Sequence, residues 1–203
     1  MSAPTTMSWM RLKRLGRYLK LKPLMVIEFE CQSVDSNQDS LDIYSDTDFA
    51  GCLRTRRSTN GGCAMRGSHC IRTWATTQAI IALSSGEAEF YGLTKAVCMG
   101  IGLRALGKDL GTKLLLTVFT DSTAAKGIAQ RRGLGKLRHM DVQFLWIQER
   151  LQAKEFRLMK VLGTKNPGDA LTKFLDEATM MSRMSLMKVK FISGRSSVAP
   201  NLT

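Results

Sequence analysis

Apolar positions in the central part of the chain follow two spacings, one typical of strands and one typical of a helix. Alternation over residues 41–46 and a short apolar run over 113–121 each predict a strand. The segment 85–107 instead places its apolar residues at helical spacing, with a stripe that runs from Leu93 to Ile101. A strand, a long helix and a second strand in this order are typical of an α/β domain.

The flanking segments extend this pattern. Gly67 and Ser68 predict a tight hairpin between two further strands. The predicted order is strands at 41–46, 61–67 and 69–74, a helix at 85–107, a strand at 113–121, helices at 122–130 and 141–153, a strand at 156–162 and a helix at 168–175. Hairpin-joined strands followed by helix-linked strands predict a five-stranded mixed sheet, with three antiparallel and two parallel strands, flanked by helices.

Two of the predicted strands end on an acid. Asp46 closes the first strand and Asp121 closes the strand that follows the long helix. In open α/β sheets the ligand crevice lies at the carboxyl ends of the strands, so these two acids are expected to share a divalent-cation site. One strand-end aspartate would mean little, because aspartate is common where strands run into loops.

The long helix begins with two glutamates that differ in role. Ser84 and Glu87 have the spacing of a capping box, in which each side chain satisfies a backbone N–H at the helix start. Glu89 lies four residues before Leu93, on the apolar stripe. A carboxylate on that stripe is costly unless it binds a cation or is fully hydrogen-bonded, which favours a functional role.

A fourth acid, Asp169, follows Asn166, Pro167 and Gly168 and opens the last predicted helix. Taken alone, this position is typical of a charge that complements the helix dipole. Taken with the other three, it gives four acids in four separate local patterns, all expected at the same end of the sheet. Such a constellation predicts a metal site.

Segments across residues 9–175 resemble the ribonuclease H domain of copia-type retrotransposon polyproteins, together with the end of the reverse transcriptase connection. The matching segments are L-K-R-L-G-R-Y-L-K at 12–20, Y-S-D-T-D-F-A-G at 44–51, T-R-R-S-T-N-G at 55–61, A-L-S-S-G-E-A-E-F at 82–90, D-S at 121–122, R-H-M-D at 138–141 and P-G-D-A-L-T-K at 167–173. The resemblance implies a ribonuclease H-like fold.

The resemblance also implies an activity, the hydrolysis of the RNA strand of RNA–DNA hybrids by an endonuclease. Its catalytic and metal-binding acids would be Asp46, Glu89, Asp121 and Asp169. Two Mg²⁺ ions about 4 Å apart, with Mn²⁺ as a substitute, would be held by these hard oxygen ligands, and no small-molecule cofactor is expected. The RNA strand would be selected through its 2′-hydroxyl groups.

The chain departs from these and related ribonucleases H in three features. Phe49 stands where the family has tryptophan, a volume change that the core is expected to absorb. Residues 161–166 contain no histidine, whereas cellular ribonucleases H carry one before the last acid, and the sequence holds no polymerase, protease or integrase motif. The alternative function is therefore a catalytically idle or domesticated module that binds nucleic acid or serves as a subunit of a larger assembly.

The net charge of +13, from 30 Lys and Arg against 17 acids, favours a polyanionic partner. Two clusters follow the acidic strands and are predicted to contact the phosphates of a hybrid. They contain Arg54 and Arg57, and Arg132, Lys136 and Arg138. Simple solvated charge is the alternative interpretation of both clusters. A reverse transcriptase or a host complex is a further candidate partner.

The chain is predicted to have three parts: a basic connection remnant of helix and strand with a linker at 1–36, the ribonuclease H-like domain at 37–175 and a basic, Met-rich, partly disordered tail at 176–203. Five scattered cysteines without C-x-x-C spacing indicate reduced thiols, hence an intracellular, reducing compartment. Cytoplasm or nucleus is favoured, and the acid-free, amphipathic start leaves organellar import open. His139 is predicted to be a cap or packing residue, and no membrane partner is expected because no run of about 20 apolar residues occurs.

Overall fold

The computed structural model describes residues 3–22, 24–31, 39–133, 135, 139–140, 142–192 and 194. They form two compact units, Phe29–Lys188 and the smaller pair of segments Met1–Glu28 and Val189–Thr203. The larger unit contains β2 (Ser40–Thr47), β3 (Thr59–Arg66), β4 (His69–Thr77), α2 (Ser85–Asp109), β5 (Leu115–Thr120), α3 (Thr123–Gln130), α4 (Trp146–Gln152), β6 (Arg157–Lys160) and α5 (Glu177–Leu186). The smaller unit contains α1 (Thr6–Leu21), β1 (Leu24–Ile27) and β7 (Val189–Ile192).

The five strands of the larger unit form one sheet in the order β4-β3-β2-β5-β6. β2, β3 and β4 are antiparallel neighbours, and β5 and β6 continue the sheet in parallel to β2. Gly67 takes a positive φ of 58° in the two-residue turn between β3 and β4, as the sequence predicted. The α/β fold class, with three antiparallel and two parallel strands, is confirmed.

Helix α2 packs on the sheet through the apolar stripe that the sequence predicted. Its side chains Phe90, Leu93 and Val97 are fully buried, as are those of Ile43 on β2 and Val118 on β5. All five belong to one cluster of buried apolar side chains that α3 also joins. A substitution such as Leu93→Ala is expected to cost about 2–5 kcal/mol of unfolding free energy, because the surrounding core collapses only partly into the space.

Two predicted helices differ from what the structure shows. The predicted helix at 141–153 is a 3₁₀ turn, Val142–Leu145, followed by α4. The predicted helix at 168–175 was wrong, because this segment is a 3₁₀ turn, Pro167–Leu171. The turn ends at Thr172, which leaves the helical region with φ −122° and donates its hydroxyl hydrogen bond to Asp46. A tertiary contact therefore overrides local helical pattern there.

Phe49 does not lie in the core, contrary to the prediction from the sequence. Its side chain is 48% exposed, so the exchange of tryptophan for phenylalanine is not absorbed by the core. The five cysteines are free, and Cys63 and Cys70 are buried.

The smaller unit pairs the two ends of the chain. β1 and β7 are antiparallel, with Leu24 opposite Ile192. The sequence predicted a helix or strand remnant in 1–36 without bounds for β1, and it did not predict β7, because each strand has four residues and their pairing partners lie far apart in the sequence. Helix α1 has no buried residue. In the described part of the chain, no helix has the length and apolar character needed to cross a membrane.

Candidate metal centre

Three carboxylates meet where β2 and β5 end. Asp46 is the penultimate residue of β2, Asp121 follows β5 directly, and Asp169 lies in the turn Pro167–Leu171. One oxygen of each carboxylate lies within 4.8 Å of the others. Asp46 and Asp169 are buried and Asp121 is partly buried. Because β2 and β5 are parallel neighbours, their carboxyl ends deliver the first two acids to the same place.

The third acid is positioned by the turn that precedes it. Asn166, which is fully buried, donates to the carbonyl oxygen of Ser45 at 2.9 Å and accepts from the Gly168 N–H at 3.1 Å. A Cβ at Gly168 would lie 3.0 Å from Asp46 Cβ, which is tighter than ordinary contacts. The absence of a side chain at Gly168 thus lets the turn approach β2 closely enough to bring Asp169 to the other acids.

Both oxygens of Asp46 are hydrogen-bonded by residues that follow this turn. The Thr172 hydroxyl donates to Oδ2, and Lys173 Nζ donates to Oδ1 at 3.0 Å. Burial nevertheless dominates and raises the pKa of Asp46, against the lowering effects of Thr172 and Lys173. Burial also raises the pKa of Asp121. These carboxylates are therefore harder to ionise than in water unless a cation compensates them.

Asp169 has a different cation on each oxygen. Lys173 Nζ lies 2.5 Å from Oδ1, and Arg183 Nε lies 3.4 Å from Oδ2. Burial opposes the charge on Lys173, but its hydrogen bond to Asp169 and the charge of Asp46 outweigh this and raise its pKa. The acids are thus partly neutralised by the protein itself.

Glu89 interacts electrostatically with the other acids. Among the described residues, the group within 4.8 Å consists of Asp46, Asp121 and Asp169 and does not include Glu89. Burial first, and then the charges of Asp46 and Asp121, raise its pKa to about 8. Its buried Oε2 has no hydrogen-bond partner in the described part of the chain. A buried carboxylate oxygen without a donor is costly, and a bound cation would remove this cost.

These residues fit a divalent metal ion. Carboxylate oxygens are the ligands that Mg²⁺ and Mn²⁺ take in proteins, and here three converge beside a fourth acid with an unpaired oxygen. The arrangement can therefore hold a divalent cation. The catalytic role of the four acids stays a prediction.

Glu87 is buried, and hydrogen-bond donors surround its carboxylate. It accepts hydrogen bonds from the Leu83 N–H at 3.1 Å, the Tyr91 hydroxyl at 2.7 Å and His139 Nε2 at 2.9 Å. Burial would raise its pKa, but the hydrogen bonds from His139, Tyr91 and Leu83 outweigh it and lower the pKa. The Ser84 half of the predicted capping box is present, whereas Glu87 reaches the amide one residue before the cap. His139 is thus a hydrogen-bond partner of Glu87.

The basic residues predicted to contact nucleic acid are only partly described. Arg54, Arg57 and Arg132 are exposed to solvent. Lys136 and Arg138 lie outside the described residues.

Four residues of the site were missed by reasoning from the sequence: Asn166, Thr172, Lys173 and Arg183. Asn166 had a usable signal, because asparagine before Pro-Gly is typical of a cap and turn. Thr172 and Lys173 lie in a recognised motif, but nothing in its pattern showed that they contact Asp46. Arg183 had no signal, since it is separated from Asp169 by 14 residues.

The chain is an α/β protein whose five-stranded mixed sheet carries clustered acids at the carboxyl ends of two adjacent parallel strands. The chain is a homologue of copia-type, retrovirus-related Pol polyproteins from transposons, which confirms the resemblance drawn from its motifs. It is 27% identical to the TNT 1-94 polyprotein of Nicotiana tabacum over 167 residues, 81% of this chain. It is 27% identical to the RE1 polyprotein of Arabidopsis thaliana over 192 residues, 93% of this chain.

The chain spans only 12% and 13% of the length of these two polyproteins. Over 95 residues it is also 35% identical to secreted RxLR effector protein 161 of Plasmopara viticola. The matched segment covers 47% of this chain and 64% of that protein. No protein-family model matches the chain.

Similar solved structures include the N-terminal RNase H domain of a Mycobacterium tuberculosis protein, with a TM-score of 0.42 and 15% identity over 72% of this chain and 96% of that one. Another is LC11-RNase H1 in complex with an RNA/DNA hybrid, with a TM-score of 0.43 and 16% identity over 65% of this chain and 93% of that one. These scores are low, so the fold assignment depends on the sheet topology of the chain itself.

Proposed function

We propose that this chain is a metal-dependent endonuclease that hydrolyses the RNA strand of RNA–DNA hybrids. The observation that carries the proposal is the group of Asp46, Asp121 and Asp169, whose oxygens lie within 4.8 Å of one another. Glu89 supports it, because a carboxyl with a pKa of about 8 and an unpaired buried oxygen lacks the compensation that a cation would supply.

Each of the four acids has a role in this proposal. Asp46, Asp121, Asp169 and Glu89 would hold two Mg²⁺ ions, or Mn²⁺ in their place, and bound divalent ions activate a water and stabilise charge on the attacking and leaving oxygens of a phosphodiester. Thr172 orients Asp46 through its Oδ2. Asn166 fixes the turn that carries Asp169 against the end of β2.

The nature of the substrate is supported by charge. A net charge of +13 favours a polyanion, and the exposed Arg54, Arg57 and Arg132 are available for phosphate contacts. We extend this role to Lys136 and Arg138, as the sequence predicts. Selection of the RNA strand would depend on its 2′-hydroxyl groups, which DNA lacks.

The test is hydrolysis of end-labelled duplexes by the purified chain. An RNA–DNA hybrid, an RNA duplex and a DNA duplex of the same sequence are incubated with Mg²⁺, with Mn²⁺ or with a chelator. We expect internal cleavage of the RNA strand of the hybrid, dependent on metal and absent in Asp121→Asn. Equal cleavage with chelator, or equal cleavage of all three duplexes, would contradict the proposal.

One observation favours a second function, that of a non-catalytic module. Lys173 and Arg183 already neutralise Asp169 in the absence of metal, so this part of the fold carries its own counter-charge. A chain that binds the hybrid with salt-dependent affinity but leaves its RNA strand intact with either metal would have this function.

A further inference from the structure

Helix α5 is attached to the larger unit in an unusual way. It lies beyond residue 173, where the motifs of the retrotransposon resemblance end. Helices normally dock through an apolar stripe, yet the buried residue of α5 is a charged one, Arg183. The side chain of Arg183 is 10% exposed. A buried arginine requires specific partners, so its contacts show what this helix does.

Arg183 joins two segments that flank the metal site. Its Nε lies 3.4 Å from Oδ2 of Asp169, and its Nη1 donates to the carbonyl oxygen of Thr164. Thr164 belongs to the 3₁₀ turn Gly163–Lys165, which also lies beside the acids, since a Cβ at Gly163 would be 3.2 Å from Oδ2 of Asp121. The planar guanidinium thus fixes Asp169 relative to a second turn at the edge of the site.

The two oxygens of Asp169 differ in what holds them. Oδ2 is held by Arg183. Both side chains are largely buried, so breaking this ion pair would leave a buried charge without a partner. Oδ1 is held by Lys173, whose side chain is 42% exposed and can move its ammonium group into water. Lys173 also contacts Oδ1 of Asp46, so it occupies the place between two of the proposed metal ligands.

We infer that Arg183 is a positioning residue for the metal site and that Lys173 is its displaceable counter-ion. Arg183 holds Asp169 by Oδ2 and leaves Oδ1 for the cation, which takes the place of the Lys173 ammonium group. This inference rests on the proposed metal site. It assigns to the C-terminal helix a part in the site that none of the recognised motifs contains.

Arg183 and Lys173 are expected to affect metal binding in opposite ways, although both are positively charged. If both acted only as nearby positive charges, removing either would strengthen binding of a divalent ion. Positioning predicts opposite signs. Loss of Arg183 frees the ligand and weakens binding, as loss of groups that orient metal ligands does by about 10–100-fold. Loss of Lys173 removes a competitor and tightens binding by a factor of about 2–5, since the ion pair is partly exposed.

The experiment is a titration of the full chain with Mn²⁺, with free Mn²⁺ measured by electron paramagnetic resonance, so that the readout is binding and not hydrolysis. The variants are Arg183→Met, Arg183→Lys and Lys173→Met, with Arg72→Met as a control that removes an equal charge from an exposed position on β4. Circular dichroism and thermal unfolding verify that each variant is folded.

We expect weaker Mn²⁺ binding in both Arg183 variants, tighter binding in Lys173→Met and no change in Arg72→Met. Arg183→Lys keeps the charge but cannot reach Asp169 and Thr164 together, so it decides the question if Arg183→Met does not fold. Unchanged or tighter binding in the Arg183 variants would overturn the inference while the metal site stands. A wild-type chain that binds no Mn²⁺ would overturn both.

Discussion

Two glutamates in the first two turns of α2, the buried Glu87 and the partly buried Glu89, are held in opposite ways. Glu87 accepts hydrogen bonds from Leu83, Tyr91 and His139, which lower its pKa in spite of burial. Glu89, two residues later, has a buried oxygen without a donor among the described residues, and its pKa is raised to about 8. The same residue type on the same helix is thus satisfied in one case and left unsatisfied in the other.

This difference distinguishes a carboxylate with a structural role from one that is expected to bind a ligand. The Glu87 cluster is complete without any ligand, so its role is to fasten the start of α2 to His139. The Glu89 side is incomplete, because it lies beside Asp46 and Asp121, two more carboxyls whose pKa values burial raises. Acids that the protein compensates only in part favour an external cation as a further partner.

The largest expected effect comes from Asp121→Asn, which removes a ligand charge on the unsatisfied side. We expect hydrolysis of a hybrid to fall by more than about 100-fold, beyond the loss typical of groups that merely orient ligands. Without metal, the free energy of unfolding should stay equal or rise slightly, because repulsion among the acids falls. Activity near that of the wild type would contradict the assignment of Asp121.

The two glutamates themselves give the next effect, measured as the free energy of unfolding against pH without metal. The unfolded chain loses the Glu89 proton near the ordinary pKa of 4.5, whereas the folded chain keeps it to about 8. Folding therefore binds a proton between these values, and this contribution to stability falls as pH rises from 4.5 to 8. From pH 4.5 to 8, the free energy of unfolding of Glu89→Gln should therefore rise relative to that of the wild type by on the order of 2–4 kcal/mol.

Glu87→Gln is the matched control and should behave in the opposite way. The lowered pKa of Glu87 stabilises the folded chain above pH 4.5, and this contribution is lost as pH falls further. At neutral pH we expect Glu87→Gln to cost about 1–3 kcal/mol, because a charged acceptor is lost, while hydrolysis is retained. A loss of hydrolysis in Glu87→Gln and not in Glu89→Gln would reverse the comparison.

A smaller effect is expected at His139, the exposed partner of Glu87. His139→Ala should cost about 1 kcal/mol or less, since the side chain of His139 is 43% exposed. In a double-mutant cycle with Glu87→Gln, the two costs should be less than additive, because both remove the same contact. Full additivity would show that the two residues do not interact in solution. Hydrolysis by His139→Ala should stay near that of the wild type.

The sequence predicted most of the sheet and the long helix, because apolar alternation and the helical stripe follow directly from which face is buried. It also predicted the proximity of Asp46 and Asp121, since adjacent parallel strands bring their carboxyl ends together. Asp169 was expected at the same edge, but on a regular helix that the structure replaces with a short turn.

What the sequence did not predict depends on contacts between residues distant along the chain. The bond from Thr172 to Asp46 spans 126 positions, and the contact of Arg183 with Asp169 depends on α5 folding back. The pairing of β1 with β7 likewise joins the two ends of the chain. Local periodicity carries no information on such partners. His139 was predicted to be a cap or packing residue, but only the structure identifies Glu87 as its partner.

The smallest effect should come from residues that belong to neither glutamate cluster. Arg54→Ala, Arg57→Ala and Arg132→Ala should each weaken hybrid binding and flatten the slope of log affinity against log salt by up to about one unit. We expect the same of Lys136→Ala and Arg138→Ala. The Asp121→Asn variant should keep the wild-type slope. Slopes that none of the five substitutions alters would show that these basic residues do not contact phosphates.

We propose that Asp46, Glu89, Asp121 and Asp169 form a site for a divalent cation, which should stabilise the folded chain when it binds. The most direct measurement is the urea unfolding free energy of the wild type and of Asp121→Asn against Mg²⁺ concentration, at constant ionic strength. We predict a rise for the wild type that continues with the logarithm of Mg²⁺, reaching about 2.7 kcal/mol at 100 times the dissociation constant, and little or none for Asp121→Asn. Equal stability of the wild type with and without Mg²⁺ would contradict the account.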